Sequence, residues 1–97
     1  MRRLAWSQSA LADFERAISY IAERDASAAR LVAGRIDTAV RQLAEMPTGR
    51  PGRVHGTYEK PVLKTPYIVA YAVGERTITV LHVIHGRRDW REGEWPA

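Results

Sequence analysis

The chain has 97 residues, 45% of them hydrophobic and 27% charged, with no cysteine and a formal net charge of +4. This length suits one domain with a modest core, and the composition excludes a disordered or membrane-spanning chain. The absence of cysteine excludes disulfides and thiolate metal sites, and the histidines have no suitably spaced carboxylates, so we expect neither metal nor cofactor. The basic excess permits nucleic-acid or acidic-protein partners and specifies neither.

The amino-terminal segment lacks the features of an export signal. Asp13, Glu15 and Arg16 interrupt its apolar residues, so no signal-peptide hydrophobic region is present. We therefore expect a cytoplasmic protein that folds as one domain over residues 1–97, with 91–97 as a flexible tail.

The amino-terminal half predicts a short strand followed by two helices. Leu4 and Trp6 alternate with their neighbours as in a strand, and Ser7 offers a hydroxyl that can cap a helix beginning at Gln8. Apolar residues then recur every three or four positions to about residue 24, and again over 29–46 after two candidate caps, Asp25 and Ser27. We expect these two helices to form a hairpin.

The carboxyl-terminal half predicts a loop followed by three strands. Pro47 stops the second helix, and the stretch 47–53, rich in glycine and proline, predicts a loop in which Arg50 and Arg53 are solvated. β-Branched and aromatic residues favour strands over 57–64, 67–73 and 76–85. The dipeptide Gly74-Glu75 suits a two-residue hairpin turn in which the glycine adopts a positive φ.

The predicted order of elements is β-α-α-β-β-β. It corresponds to an α+β architecture with one helical hairpin packed on a mostly antiparallel four-stranded sheet. Pro61 has no amide hydrogen to donate to a sheet, so its strand lies at an edge or directs that position outward.

Several short segments follow one another in a distinctive order from about Leu4 to Trp90. They are Trp6-Ser7, Leu43 to Pro47, Gly49-Arg50-Pro51-Gly52-Arg53, Gly56-Thr57-Tyr58-Glu59, Pro66-Tyr67-Ile68-Val69-Ala70-Tyr71, Val80-Leu81-His82-Val83-Ile84-His85-Gly86 and Arg87-Arg88-Asp89-Trp90. Their order and spacing resemble the ParE-type toxins of the RelE/ParE superfamily. The resemblance implies a bacterial type II toxin that a small ParD-like antitoxin neutralises in a hetero-oligomer, with operator DNA reached only through the antitoxin.

Two activities divide this superfamily. RelE-like members are ribosome-dependent messenger RNA endonucleases, and they resemble one another in an arginine directly after the tyrosine of the third strand. The matching position after Tyr67 is Ile68, whose apolar side chain can neither stabilise phosphate charge nor move a proton. We therefore favour the ParE-like activity, inhibition of DNA gyrase, which needs no catalytic residues.

The nuclease alternative depends on other residues. His85 is its candidate base, with Arg87 and Lys64 as accompanying cations. However, His82 and His85 lie three residues apart in an apolar strand and therefore on opposite faces, which favours structural or surface roles for both.

Two binding surfaces are expected. Arg87, Arg88 and Trp90 belong to residue types enriched in interface hot spots and form the candidate gyrase-binding surface, although Trp90 would equally suit closure of the core over the sheet. The antitoxin is expected along the helices or at an open sheet edge. Its candidate contacts, predicted to be partly exposed at the margins of the apolar stripes, are Ala22, Leu31 and Ala39.

A third hypothesis is a toxin-fold protein without toxicity that acts only in a DNA-binding repressor complex.

Overall fold

The computed structural model describes residues 2–86, which form two helices and five strands. In chain order these are β1 (Arg3–Trp6), α1 (Gln8–Ala22), α2 (Ala26–Glu45), β2 (Arg50–Pro51), β3 (Tyr58–Pro61), β4 (Tyr67–Val73) and β5 (Thr77–His85). The predicted α+β class is confirmed, although the sheet has one strand more than the four predicted. Neither helix of this described part is long and apolar enough to cross a membrane.

Each helix begins directly after a predicted capping residue, which is Ser7 for α1 and Asp25, rather than Ser27, for α2. The Ser7 hydroxyl accepts a hydrogen bond from the Ala10 amide at 3.0 Å, and Asp25 Oδ1 accepts one from the Ala28 amide at 3.1 Å. Each oxygen satisfies an amide that the start of a helix leaves without an intrahelical partner. Residues 23–25 alone separate α1 from α2, and the two helices pack against each other as the predicted hairpin.

The strands form one mixed sheet in the order β1-β5-β4-β3-β2. β1 is parallel to β5, and the other three pairs are antiparallel. β2 falls in the stretch predicted to be loop, and it pairs Arg50 with Glu59 and Pro51 with Tyr58. The loop prediction is wrong for these two residues because so short a strand cannot display an alternating pattern.

The β4–β5 hairpin turns one position later than predicted. The Gly74 amide donates to the Thr77 carbonyl at 2.7 Å, which leaves the two residues between them at the tip. Among the residues described, positive φ angles occur at Lys64 (60°) and Gly56 (83°). The positive φ predicted for Gly74 is therefore wrong, because this glycine closes the ladder rather than forming the turn.

One face of the sheet packs against the helices. Its shared core includes Ala10, Ile36, Val40, Leu43, Val69, Tyr71, Ile78 and Val80. The fully buried Tyr71 donates its hydroxyl proton to the Thr48 carbonyl at 2.9 Å and so attaches the loop after α2 to the core. Burial raises the pKa of Tyr71 above its ordinary value of 10.0, and the nearby Tyr58 hydroxyl raises it further.

The opposite face, here named the second sheet face, consists of Glu59, Ile68, Ala70, His82 and Ile84. Directly paired residues share a face, so Glu59, Ala70 and His82 form one row across three strands, and Ile68 lies beside Ile84 in the next. All five are buried. A carboxylate and an imidazole therefore share this face with apolar side chains.

Candidate functional site

A groove of about 810 Å³ lies between the outer side of α2 and the segment from β3 to Lys64, and we call it the α2 groove. Its apolar lining includes Ala39, Leu31 and Leu63, of which the last two are 54% and 84% exposed. Exposed leucines on both walls of one groove form an apolar surface that a partner can cover. The α2 groove is thus the first candidate binding surface.

Four cationic residues surround the α2 groove: Arg30, Arg35, Lys60 and Lys64. Arg35 Nη1 donates to the Lys64 carbonyl at 3.2 Å, and Lys60 Nζ donates to Thr48 Oγ1 at 2.9 Å. The first bond connects α2 to the strand side of the groove, and the second connects β3 to the loop after α2. Within residues 2–86, the lining contains no carboxylate, so its charge complements an acidic partner.

A second cavity, of about 1170 Å³, lies beside α1, and we call it the α1 cavity. His85 and Tyr67 line it, with their rings edge to face at 5.3 Å. Its charged lining is mixed, since Arg16 lies there with Asp13 and Glu15. The α1 cavity therefore lacks the uniform charge of the α2 groove.

Asp13 holds α1 against the edge of β5. β1 pairs with β5 only as far as Val80, so no strand within residues 2–86 lies beside the next part of that edge. Asp13 Oδ2 accepts the Val83 amide hydrogen at 3.0 Å and lies 3.0 Å from His82 Nδ1, while Oδ1 accepts from Arg16 Nη2 at 2.7 Å. The carboxylate replaces a missing strand neighbour, which is a structural role.

Glu59 is the buried carboxylate of the second sheet face. Its Oε2 accepts from both the backbone amide and Nε of Arg53, at 2.9 and 3.0 Å. The expectation that Arg53 is a solvated loop residue is wrong, because Glu59 fixes it next to the sheet. Ile68 lies on the same face, which thus combines an apolar side chain with a carboxylate already bound to a cation.

The two residues of the nuclease alternative that the structure describes line different cavities. His85 lines the α1 cavity and Lys64 lines the α2 groove, while Arg87 lies outside the described residues. The prediction that the two histidines occupy opposite faces is confirmed, since His85 pairs with Tyr67 on the core face and His82 pairs with Ala70 on the second sheet face. No group of three potential metal ligands occurs in the described part of the chain.

The candidate contact residues differ in where they lie. Leu31 and Ala39 both line the α2 groove, but Ala39 is only 6% exposed, so its predicted partial exposure is wrong. Its position against the core buries it. Ala22 is exposed at the end of α1 and is absent from the lining of either cavity. The candidate gyrase contacts Arg87, Arg88 and Trp90 lie beyond residue 86, outside the part that the structure describes.

Leu63 and Lys60 are groove residues that the sequence predictions did not include. Leu63 follows the buried Val62, and alternation along the strand predicted over 57–64 places it on the outer side, although the structure ends that strand at Pro61 and has a turn at Leu63. That signal identifies an exposed leucine. It does not reveal that α2 lies opposite.

The fold resembles that of a chain from the chromosomal ParDE toxin–antitoxin system of P. aeruginosa. The TM-score is 0.81 over 88% of this chain and 96% of that one, at 21% sequence identity. The two chains thus share one small α+β fold.

Sequence comparisons identify the family. Residues 4–90 match the model for the ParE toxin of the type II toxin–antitoxin system parDE. The protein Y4kP of Sinorhizobium fredii, designated a toxin, is 39% identical over 90 residues, which cover 92% of this chain and 93% of that protein. Toxin RelE2 of Caulobacter vibrioides is 31% identical over 88 residues, which cover 91% of this chain and 99% of RelE2. The chain belongs to the ParE toxin family of type II toxin–antitoxin systems.

Proposed function

We propose that this toxin acts in the cytoplasm by inhibiting DNA gyrase and that a cognate antitoxin neutralises it. The observation that carries the proposal is the composition of the second sheet face. Ile68 occupies the position where RelE-like nucleases carry an arginine, and the buried Glu59 lies on the same face. The proposed mode of action is binding, without chemistry on the toxin.

Cleavage of RNA by its own 2′-hydroxyl requires cations that stabilise a pentacoordinate phosphate. The Arg53 guanidinium lies at hydrogen-bonding distance from the Glu59 carboxylate, so much of its charge is already compensated. Ile68 and Glu59 are themselves buried, so this face offers a phosphate no free cation at either position. The face therefore supports a binding protein better than a nuclease.

The gyrase contacts remain the proposed surface at Arg87, Arg88 and Trp90. A planar cation and a large aromatic ring provide much of the energy of many protein interfaces. Their replacement by alanine, singly and together, should abolish gyrase inhibition and leave binding of the antitoxin unchanged.

Controlled expression in bacteria tests the proposed target. We expect filamentation with a DNA-damage response, both suppressed by coexpression of the antitoxin. Unchanged DNA replication with rapid cleavage of messenger RNA at fixed codon positions would refute gyrase as the target. Harmless overexpression would instead favour a repressor without toxicity.

The second candidate function is a ribosome-dependent messenger RNA endonuclease. It is favoured by similarity to a protein named RelE2 and by His85, which lines the α1 cavity together with Arg16. Primer extension on ribosome-bound messenger discriminates the two functions. Under this alternative, His85→Ala and Arg87→Ala would abolish the cleavage products, whereas under gyrase inhibition no such products form.

The proposed partner of the α2 groove is the antitoxin, through which the toxin reaches operator DNA. Leu31 lines the groove and is retained as a proposed contact, whereas Ala39 is buried at the base of the groove and Ala22 lies outside its lining. The cationic rim provides a means of recognising an acidic antitoxin segment.

A further inference from the structure

The second sheet face is buried, although no helix or strand within residues 2–86 lies over it. Both helices contribute to the core on the other face, and all five strands belong to one sheet. Ile68, Ala70 and Ile84 are not part of that core, yet they are 8%, 0% and 1% exposed. Apolar side chains on the outer face of a sheet stay exposed to water unless another segment covers them. A covering segment is therefore required.

The loop that carries Arg53 covers one side of this face. Both the backbone amide and Nε of Arg53 donate to Glu59, which lies on β3. Ile84 lies on β5, and β4 separates these two strands. Since neighbouring strands are about 4.8 Å apart, the anchored Arg53 lies about 10 Å from the strand of Ile84. The loop therefore accounts for the burial of Glu59 and not for that of Ile84.

Gly86 shows where the covering segment begins. Its amide donates to the Pro66 carbonyl at 2.6 Å, so the chain continues along β4 beyond Ile84. Residues two positions apart in a strand share a face, and a Cβ atom added at Gly86 would lie 3.1 Å from Ile68 Cδ1. The backbone that leads into residues 87–97 thus already packs against an isoleucine of the second sheet face.

Residues 87–97, here called the carboxyl-terminal segment, are long enough to cover this face. Eleven extended residues reach up to about 35 Å, whereas the three strands that carry the face span about 10 Å. The large apolar side chains of the segment are Trp90 and Trp95. A buried tryptophan covers on the order of 200 Å², so one ring can cover both Ile68 and Ile84.

The occupant of the face belongs to this chain. The five side chains of the face are buried in the chain by itself, so neither a second copy nor a partner protein is needed to explain their burial. A turn takes about four residues, and a chain that reverses after Gly86 therefore brings Trp90 back over the two isoleucines. Trp95 lies five residues further along the chain.

We propose that the carboxyl-terminal segment folds back onto the second sheet face and that Trp90 packs over Ile68 and Ile84. The segment also carries Arg87 and Arg88, so its docking fixes the two cations proposed to contact gyrase. Ile68 is then a positioning residue, because it acts on gyrase only through the segment. This consequence for gyrase rests on the proposed function, whereas the docking itself does not.

Limited digestion of the full-length toxin with trypsin tests the docking, because trypsin cleaves after arginine and the segment contains three arginines. A docked segment resists cleavage except when it opens locally. Trp90→Ala should therefore accelerate removal of the segment, measured by mass spectrometry, by about tenfold or more. Trp95→Ala is the matched control and should leave the rate unchanged. Slow cleavage within residues 2–86 in both variants excludes global unfolding.

A double-mutant cycle tests the contact between Trp90 and Ile68. Ile68→Ala and Trp90→Ala remove the same contact, so their combined effect on the unfolding equilibrium constant should be smaller than the product of the single effects. Val69→Ala is the matched control, because Val69 is the next residue and belongs to the core on the opposite face. Its effect should multiply with that of Trp90→Ala. Ile68→Val serves the same cycle should Ile68→Ala not fold.

Gyrase inhibition tests the positioning role. Ile68→Ala should release the segment to trypsin and weaken inhibition several-fold, although the Ile68 side chain is buried and cannot touch gyrase. Val69→Ala should do neither.

The outcomes separate the docking from the target. Equal cleavage rates in wild type and Trp90→Ala, or multiplicative effects of the Ile68 and Trp90 variants, would overturn the docking. Acceleration by Trp95→Ala alone would overturn Trp90 as the anchor. If the docking holds but wild-type toxin does not inhibit gyrase, the proposed target is refuted while the docking stands. If wild type inhibits gyrase and Ile68→Ala inhibits it equally with its segment released, the positioning role is overturned.

Discussion

Asp13 Oδ2 accepts the amide hydrogen of Val83 at 3.0 Å, and this contact joins the first helix to the last strand across 70 positions of sequence. The contact lies beyond Val80, where the pairing of β1 with β5 ends. The same oxygen lies 3.0 Å from the buried imidazole of His82. One carboxylate thus satisfies the Val83 amide, which no strand within residues 2–86 pairs, and also contacts the His82 side chain.

Asp13→Ala should therefore destabilise the protein by about 1–3 kcal/mol, the usual cost of leaving a buried hydrogen-bonding group without its partner. Urea-induced unfolding measures the difference. Asp37→Ala is the matched control, because Asp37 forms an exposed i,i+4 pair with Arg41 and should cost less than about 0.5 kcal/mol. Equal losses in the two variants would contradict the role assigned to Asp13.

Glu59→Ala should destabilise the protein by about 2 kcal/mol, because Glu59 is 3% exposed and receives two hydrogen bonds from Arg53. Glu59→Gln should cost less, since the amide oxygen can still accept from the Arg53 backbone. Chemical unfolding of both variants checks this order. An unchanged free energy of unfolding in Glu59→Ala would show that the ion pair contributes nothing to the sheet.

Gly49→Ala should destabilise the fold by about 1–3 kcal/mol, the cost typical of overpacking. A Cβ atom at Gly49 would lie 2.6 Å from the Tyr71 hydroxyl and 2.8 Å from the Glu59 carbonyl oxygen. At Gly34 in α2, an added Cβ atom would meet no atom within 4 Å, so Gly34→Ala should instead stabilise the helix. Thermal unfolding should therefore give opposite signs for Gly49→Ala and Gly34→Ala, although the chemical change is the same. A matching sign would contradict the packing described at one of the two glycines.

Stability should fall at alkaline pH because of Tyr71. Burial raises the pKa of Tyr71 above 10.0 in the folded protein, so the unfolded chain loses this proton first as the pH rises. Tyr71 contributes fully to stability at pH values below its pKa in the unfolded chain. This contribution is lost as the pH rises through its pKa in the folded protein. Thermal unfolding from about pH 8 to about pH 11 should show this decline.

Tyr71→Phe provides the comparison. It should cost about 1 kcal/mol at neutral pH through loss of the hydrogen bond to the Thr48 carbonyl. The loss of stability at alkaline pH should also be smaller in Tyr71→Phe than in the wild type. An equal loss of stability at alkaline pH in the wild type and Tyr71→Phe would show that titratable groups other than Tyr71 cause it.

Local signals in the sequence predicted most of the secondary structure. Ser7 and Asp25 marked the helix starts, and Pro47 marked the end of α2, because each acts on its own backbone. β2 escaped prediction since its pairing with Glu59 depends on a partner strand rather than on a pattern of its own. The turn at Gly74 was predicted one position too early for a related reason. The hydrogen bond between Gly74 and Thr77 determines where the turn lies.

The candidate site was less predictable because it joins distant segments. Leu31 was identified from helical periodicity, but the groove also needs Leu63 and Lys60, which come from the strand region. The sequence around each of these residues gives no sign that it belongs to a groove. Only the packing of α2 beside β3 and its following connection brings exposed leucines and a cationic rim together.

The central claim is that this ParE-family toxin inhibits gyrase without catalysis of its own, and a supercoiling assay with purified proteins tests it most directly. Increasing amounts of the toxin should block conversion of relaxed plasmid to supercoiled plasmid and accumulate cleaved DNA, and prior addition of the antitoxin should restore supercoiling. Normal supercoiling at a large excess of active toxin, together with toxin-dependent cleavage of ribosome-bound messenger RNA, would contradict the claim.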